Sequence, residues 1–438
     1  MDTTGPKPAD PTSESNSEST AEDSRQSGFA HGMRAFRHKD FRRFWIGALI
    51  SNSGTWLQNL AIPFVLVEIT GGASWAGVAA FSSLFPATVL GPLAGNVADR
   101  FDRRRVLIVG QSFSALAALS LWAIWTAGVR EPAVIVAVAA LGGIISGFTI
   151  PTWQSFVPLL VPLDDLPSAI SLNSLQFNTA RAIGPAVGGA FIFAAGADAA
   201  FLLNAISFGA VLIALFFVNP GQVRQDKQKR PVIKGFVESI QYIKTQPGIV
   251  VGIVLAAIVA FLGFPVVTFV VVFAKQVYEV EAWAVGLLSA MLGVGAILGV
   301  PLVSGVFGDL KRATLTSTAL PLYGVSIIIF GTSTGPVQGA IGLLFAGACF
   351  ITIVATSNTA VQSIVSDHIR GRVMATRIMT FMASYPLGVL IQTRISDKTS
   401  PRLVVSTAGG LLLMIGLFLL TRRSWMDRLD DPPDEAEY

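Results

Sequence analysis

Apolar runs of 18 residues or more recur along this chain, separated by short polar stretches. An α-helix needs roughly 20 apolar residues to cross a bilayer, so the runs predict membrane-spanning helices. We place twelve of them, at 42–67, 75–98, 105–127, 132–156, 169–194, 199–218, 248–274, 283–308, 313–331, 336–360, 373–395 and 402–421. Short segments of alternating polarity, the mark of a porin-type barrel, are absent from the sequence. The fold class predicted is an all-α membrane protein. The longest internal polar stretch, 219–247, divides the spans six and six. Within it Ile233, Phe236, Val237, Ile240 and Ile243 recur at helical spacing, which predicts an amphipathic helix on the membrane surface.

Residues 1–34 and 422–438 are polar flanks. The first is rich in Ser, Thr, Asp, Glu and Pro and reads as a disordered tail. It holds no basic, apolar and small-residue succession of a cleaved signal, so the first span is expected to serve as an uncleaved anchor. The domains expected are thus a tail (1–34), a first bundle (35–218), a linker (219–247), a second bundle (248–421) and a tail (422–438).

Charge orients the spans. Only 13% of the residues are charged, against about 25% in soluble proteins. Put the termini and the even-numbered loops on one face. Of the 31 Lys and Arg, only Arg130, Lys275, Lys398 and Arg402 then fall opposite, while Arg181 and Arg394 fall within or at the ends of spans. The positive-inside rule makes that basic face, with both termini, cytoplasmic. One cysteine, Cys349, and three histidines leave no metal centre or disulfide to expect, and no phosphate-binding Gly-x-x-x-x-Gly-Lys-Ser/Thr sequence occurs. Neither an enzyme nor a nucleic-acid binder is indicated, and no cofactor is called for.

One loop carries the most information. Gly95-Asn96-Val97-Ala98-Asp99-Arg100-Phe101-Asp102-Arg103-Arg104-Arg105 joins spans 2 and 3. Gly95 would allow close helix approach. Asp99 would accept hydrogen bonds from the amides that open the next helix. The loop has an echo in Gly305-Val306-Phe307-Gly308-Asp309-Leu310-Lys311-Arg312, at the end of span 8. Both Gly95 and Gly305, and Asp99 and Asp309, stand 210 residues apart. The spacing predicts two related six-helix halves. Span 5 carries Arg181-Ala182-Ile183-Gly184-Pro185-Ala186-Val187-Gly188-Gly189, whose proline permits a kink and whose glycines permit close packing.

These motifs resemble those of the major facilitator superfamily. With Arg370-Gly371-Arg372-Val373-Met374 they are similar to its macrolide-efflux and enterobactin-exporter-like branch, the transmembrane secretion effectors, over residues 35–425. The resemblance implies two pseudo-symmetric bundles that rock about a central cavity. It implies gating by Gly95, Asp99, Arg100, Arg103, Arg104, Asp309 and Arg312, and by Gly184, Pro185, Gly188 and Gly189. The family commonly has glycine where this chain has Asp102.

Polar side chains inside spans are the candidates for a substrate cavity: Asn52, Trp56, Gln58, Asn59, Gln154, Asn173, Gln176, Arg181, Asn358, Gln362 and Tyr385. The competing role for each is interhelical hydrogen-bonding, and for Arg181 it is snorkelling to the interface. No Asp or Glu lies in the middle of any span; Glu68, closing span 1, is the sole coupling candidate. The function expected is export of an amphipathic small molecule (drug, siderophore or secondary metabolite) by a monomer of the bacterial cytoplasmic membrane, driven by proton antiport. The alternatives are an uptake permease of the same fold and a non-transporting membrane sensor.

Overall fold

The computed structural model describes residues 32–221, 232–301 and 310–432, with side chains left out at 92–100, 182 and 232–234. Helices account for nearly all of it. The first half comprises α1 (Lys39–Thr70), α2 (Ser74–Arg100), α3 (Arg103–Thr126), α4 (Pro132–Phe156) and α5 (Leu166–Phe217). The second comprises α7 (Pro247–Ile258), α8 (Val266–Gln276), α9 (Ala282–Pro301), α10 (Arg312–Thr332), α11 (Pro336–Ile364), α12 (Arg370–Lys398) and α13 (Pro401–Thr421). Between the halves lies α6 (Val232–Thr245).

Ten of these stretches are long and apolar enough to cross a membrane by composition, 163–217 counting once. That stretch is two crossings. Gly196, at φ 86° and ψ 169°, breaks its helix, a backbone conformation open essentially to glycine. The twelfth crossing is α1, whose 32 residues include Lys39, Asp40, Arg42, Arg43, Asn52, Gln58 and Asn59, which dilute its hydropathy. Helices α7 and α8 make one crossing, joined through a π-helical turn at Val259–Gly263. Such turns free carbonyls, and the Phe261 and Leu262 carbonyls both accept from Gln392 Nε2. Twelve crossings in two six-helix bundles result, with both ends of the described chain on one face. We call that the termini face, and the opposite end the far face.

Small residues set the helix contacts, as membrane packing requires. A Cβ on Gly47 or Gly54 of α1 would strike Ala210 or Ser207 in the second arm of α5. Gly324 of α10 and Gly409 of α13 meet backbone to backbone. The halves themselves touch along α5 with α9, α2 with α12, and α1 with α8.

The two ends of the described chain are folded, not loose. Arg34–Arg37 forms a 3-10 turn whose Ala35 amide donates to Ser168 Oγ at 3.0 Å. The Asp165 carboxylate receives His38 at 2.7 Å and Arg34 at 3.2 Å. Both contacts, the His38 hydrogen bond foremost, hold its carboxyl below the usual carboxylate range. At the other end, residues 423–430 turn back under the second half and bury Met426 and Leu429 completely. Asp430 there accepts from the Arg312 and Ala313 amides, each at 3.1 Å, capping α10. Helix α6 docks on α12 through Glu238–Arg372 at 2.6 Å and Ser239–Thr376 at 2.9 Å, leaving Phe236 and Val237 exposed.

Candidate functional site between the two halves

Far-face contacts join the bundles. The α1–α2 link is short, and it opens with a left-handed Gly71, at φ 65°, that ends α1. The next amides, of Ala73 and Ser74, open α2 without intrahelical partners. Asp397, at the end of α12 in the other half, accepts from both at 2.5 and 2.9 Å. Close by, Gln276 Nε2 donates to the Gly71 carbonyl at 2.7 Å and Lys275 pairs with Glu68 at 3.5 Å. Lys275 also lies over the Phe64 ring. A cavity of about 380 Å³ opens there, with Glu68, Asp198, Glu281 and Lys275 among its lining residues. Farther in, Thr88 Oγ1 donates to the Met382 carbonyl at 3.3 Å. The sequence pointed to Glu68 alone. Gln276 and Asp397 carry no signal in a single sequence, because their partners are backbone groups 205 and 324 residues away.

The expected gate at the termini face is only partly described. Gly95, Asp99, Arg100 and Asp309 lie outside the described side chains. Among the described side chains Asp102 caps α3: its carboxylate accepts from the Arg105 amide at 2.8 Å. Glycine would leave that amide uncapped. Arg104 donates to the Leu215 and Phe216 carbonyls, both at 2.6 Å, and Arg103 to the Ser155 carbonyl at 3.1 Å. These bonds fasten α3 to the C-terminal ends of α4 and α5 within the first half, where carbonyls lack helical partners. Arg312 likewise bonds within its own half, to Ser363 Oγ.

The glycine motif of span 5 divides its work. Gly184 and Gly188 seat α5 on Trp56 and Leu57 of α1. Gly189 faces the other half: a Cβ there would come within 2.6 Å of the Ala282 carbonyl and of Gly286 Cα. The Pro185 carbonyl stands as close to Gly286, at 2.8 Å from its would-be Cβ.

Among the cavity candidates, several are paired. Asn52 donates to Gln176 Oε1 at 3.2 Å, Asn204 to Gln58 Oε1 at 2.7 Å, and Trp153 Nε1 to Asn173 Oδ1 at 3.2 Å. Those contacts are helix–helix fastenings. Tyr385 is buried against Phe264 and within 3.5 Å of Thr268 Oγ1. Trp56 meets Phe177 edge-on. Asn59, Gln154 and Gln362 are exposed, and Arg181 is half-buried.

One intramembrane residue was misplaced by the charge count, which grouped it with the basic termini face. Arg377 of α12 is buried at 6% exposure. It donates to Asn358 Oδ1 at 3.0 Å, Ser357 Oγ at 3.0 Å and the Val354 carbonyl at 3.2 Å, all on α11. Its signal was there to read, a cation inside the span 373–395, but Arg370 and Arg372 nearby hid it.

Comparison with known proteins agrees with this architecture. The family described as transmembrane secretion effector matches residues 30–434. The staphyloferrin A transporter of Staphylococcus aureus is 24% identical over 81% of this chain and 89% of its own length. The multidrug efflux pump Tap of Mycobacterium tuberculosis is 24% identical over 80% and 85%. Among solved structures, a bacterial homologue of the lysosomal transporter Spinster, inward-facing and unoccupied, superposes with a TM-score of 0.69 at 15% identity, covering 91% of this chain and 99% of that one.

Proposed function

Since the chain belongs to the transmembrane secretion effectors of the major facilitator superfamily, and so is a multi-pass membrane transporter of small molecules rather than an enzyme, we propose that it exports its substrate. The substrate is an amphipathic small molecule, of the drug, siderophore or secondary-metabolite kind, moved outward across the bacterial cytoplasmic membrane by a monomer. Both termini lie in the cytoplasm on this reading, because the Lys and Arg residues concentrate on their face. The observation that carries the proposal is the cross-half closure by Asp397, Lys275 and Gln276. With the termini inside, this is the conformation closed to the outside, the one in which an exporter loads. Two relatives named for a siderophore and for multidrug efflux support the substrate range.

Alternating access then requires the far-face bonds to break while the termini face closes. The residues for the second event are Gly95, Asp99, Arg100, Arg103, Arg104, Asp309 and Arg312. Residues 35–218 and 248–421 are the rocking units, joined by the linker 219–247. Proton antiport is the driving reaction, with Glu68 the carboxylate at the opening mouth. Everted vesicles test this directly. ATP-independent uptake of a fluorescent drug, abolished by an uncoupler, is the expected result; uptake only by right-side-out vesicles would make the protein a permease instead.

A further inference from the structure

A bilayer-embedded guanidinium raises free energy by about 2.5–3.5 kcal/mol even on the lenient insertion scales. Arg377 is enclosed, so it does not escape by snorkelling, and no membrane-spanning segment of the sequence offers it an Asp or Glu. Its partners Asn358, Ser357 and Val354 are all neutral. Its Nε–H is buried without a hydrogen-bond partner among the described residues. A fastening between helices does not explain the charge. In the first half the fourth and fifth crossings are joined by neutral Trp153 and Asn173; in the second half Arg377 joins the corresponding helices at the expense of an ion.

Arg181 repeats the pattern. It also sits on the fifth helix of its half, half-buried, with no carboxylate in any span. Each fifth helix packs against the opposite half, α5 on α9 and α12 on α2. Among the described residues, the bundle interior therefore holds two cations, Arg181 and Arg377, and no anion of its own. One turn beyond Arg377, on the same face of α12, Phe381 joins Phe264, Phe350 and Tyr385 in an aromatic cluster.

We infer that the transported molecule is an organic anion, an apolar or aromatic body bearing a carboxylate, and that Arg377 is the residue that receives the carboxylate. The aromatic cluster takes the body, and Arg181 supplies the second positive charge. The inference rests on the transport reading above and narrows its substrate class. Asn358 and Ser357 orient the guanidinium and are positioning residues.

Two xanthene dyes of opposite charge test it: fluorescein, an aromatic carboxylate, and rhodamine 123, a cation. Full-length protein in lipid nanodiscs is titrated with each and binding followed by fluorescence anisotropy. Fluorescein is expected to bind at least about tenfold more tightly. Arg377→Gln should lose about tenfold or more in fluorescein affinity with rhodamine 123 unchanged, while Arg377→Lys, which keeps the charge, stays within about fivefold of wild type. A thermal melt accompanies each variant. Should Arg377→Gln fail to fold, Arg181→Gln is read the same way. Fluorescein bound no more tightly than rhodamine 123, or equal losses for both dyes in the Gln and Lys variants, overturns the assignment. In proteoliposomes, extrusion of rhodamine 123 with fluorescein ignored leaves export standing and removes the anion site. Fluorescein binding without extrusion of either dye does the reverse.

Discussion

Asp397 closes the open end of a helix that belongs to the other half of the molecule: its carboxylate holds the Ser74 amide at 2.9 Å and, beside it, that of Ala73. A carboxylate at a helix N-terminus is attracted by the helix dipole and by the orphan amides together. Here the cap is also a bond between the two halves.

Asp397→Asn should therefore favour the far-face-open conformation. Asp397 is exposed, so the contribution is about 1 kcal/mol, a roughly fivefold change in the balance of conformers. Spin labels placed on α2 and α12 at the far face, read by pulsed dipolar spectroscopy, should show a larger share of long distances. An unchanged distribution would mean that the cap is dispensable.

The Glu68–Lys275 pair is weaker. Glu68 is half-exposed and the separation is 3.5 Å, which puts the pair in the range of about 0.2–1 kcal/mol. Breaking the pair should cost little stability, but a glutamine cannot take up a proton, so Glu68→Gln should abolish uncoupler-sensitive transport in everted vesicles. Transport within about threefold of wild type in that variant would remove Glu68 from the coupling step.

Gly189 and Gly410 form a contrasting pair. A methyl group at Gly189 has no room between α5 and α9, whereas one at Gly410 meets nothing within 4 Å. Gly189→Ala should lower the transport rate at least about tenfold by forcing the halves apart, at a strain of about 1–3 kcal/mol. Gly410→Ala should be silent. Transport assays normalised to membrane-inserted protein separate the two.

Asp165 supplies a pH test. A carboxyl held below its unfolded value, near 3.9, contributes stability that is complete above that pH. The contribution disappears as pH falls through the lowered folded value. The 34–37 turn should stay docked from pH 7 to about 4 and release below. Trp45, edge-on to Phe36 at 5.0 Å, reports the release by its fluorescence. Asp165→Asn should show the released signal already at neutral pH.

The twelve crossings were legible in the sequence because a bilayer demands continuous apolar length, a constraint local in the chain. Local logic also made the glycines of span 5 readable as packing surfaces. It failed where chemistry depends on distant backbone. Asp397 looks like one more polar residue closing a span until its amide partners, 323 and 324 residues away, are placed beside it. Asp102 stood as an oddity in a family loop, and only the geometry of α3 makes it a cap. Arg377 was overlooked for a statistical reason: counting charge per loop averages over a cation that the fold withdraws from the loop.

The fold-back of residues 423–430 also bears on the order in which this chain is made. The amides that open α10 emerge more than a hundred residues before Asp430, the side chain that receives them. Until those last turns have been synthesised, the second bundle has a bare helix end and nothing to fill the place of Met426 and Leu429. Completion of the second half is thus tied to synthesis of residues 423–430, and a ribosome that stops before them leaves a product marked as unfinished by its own exposed surface.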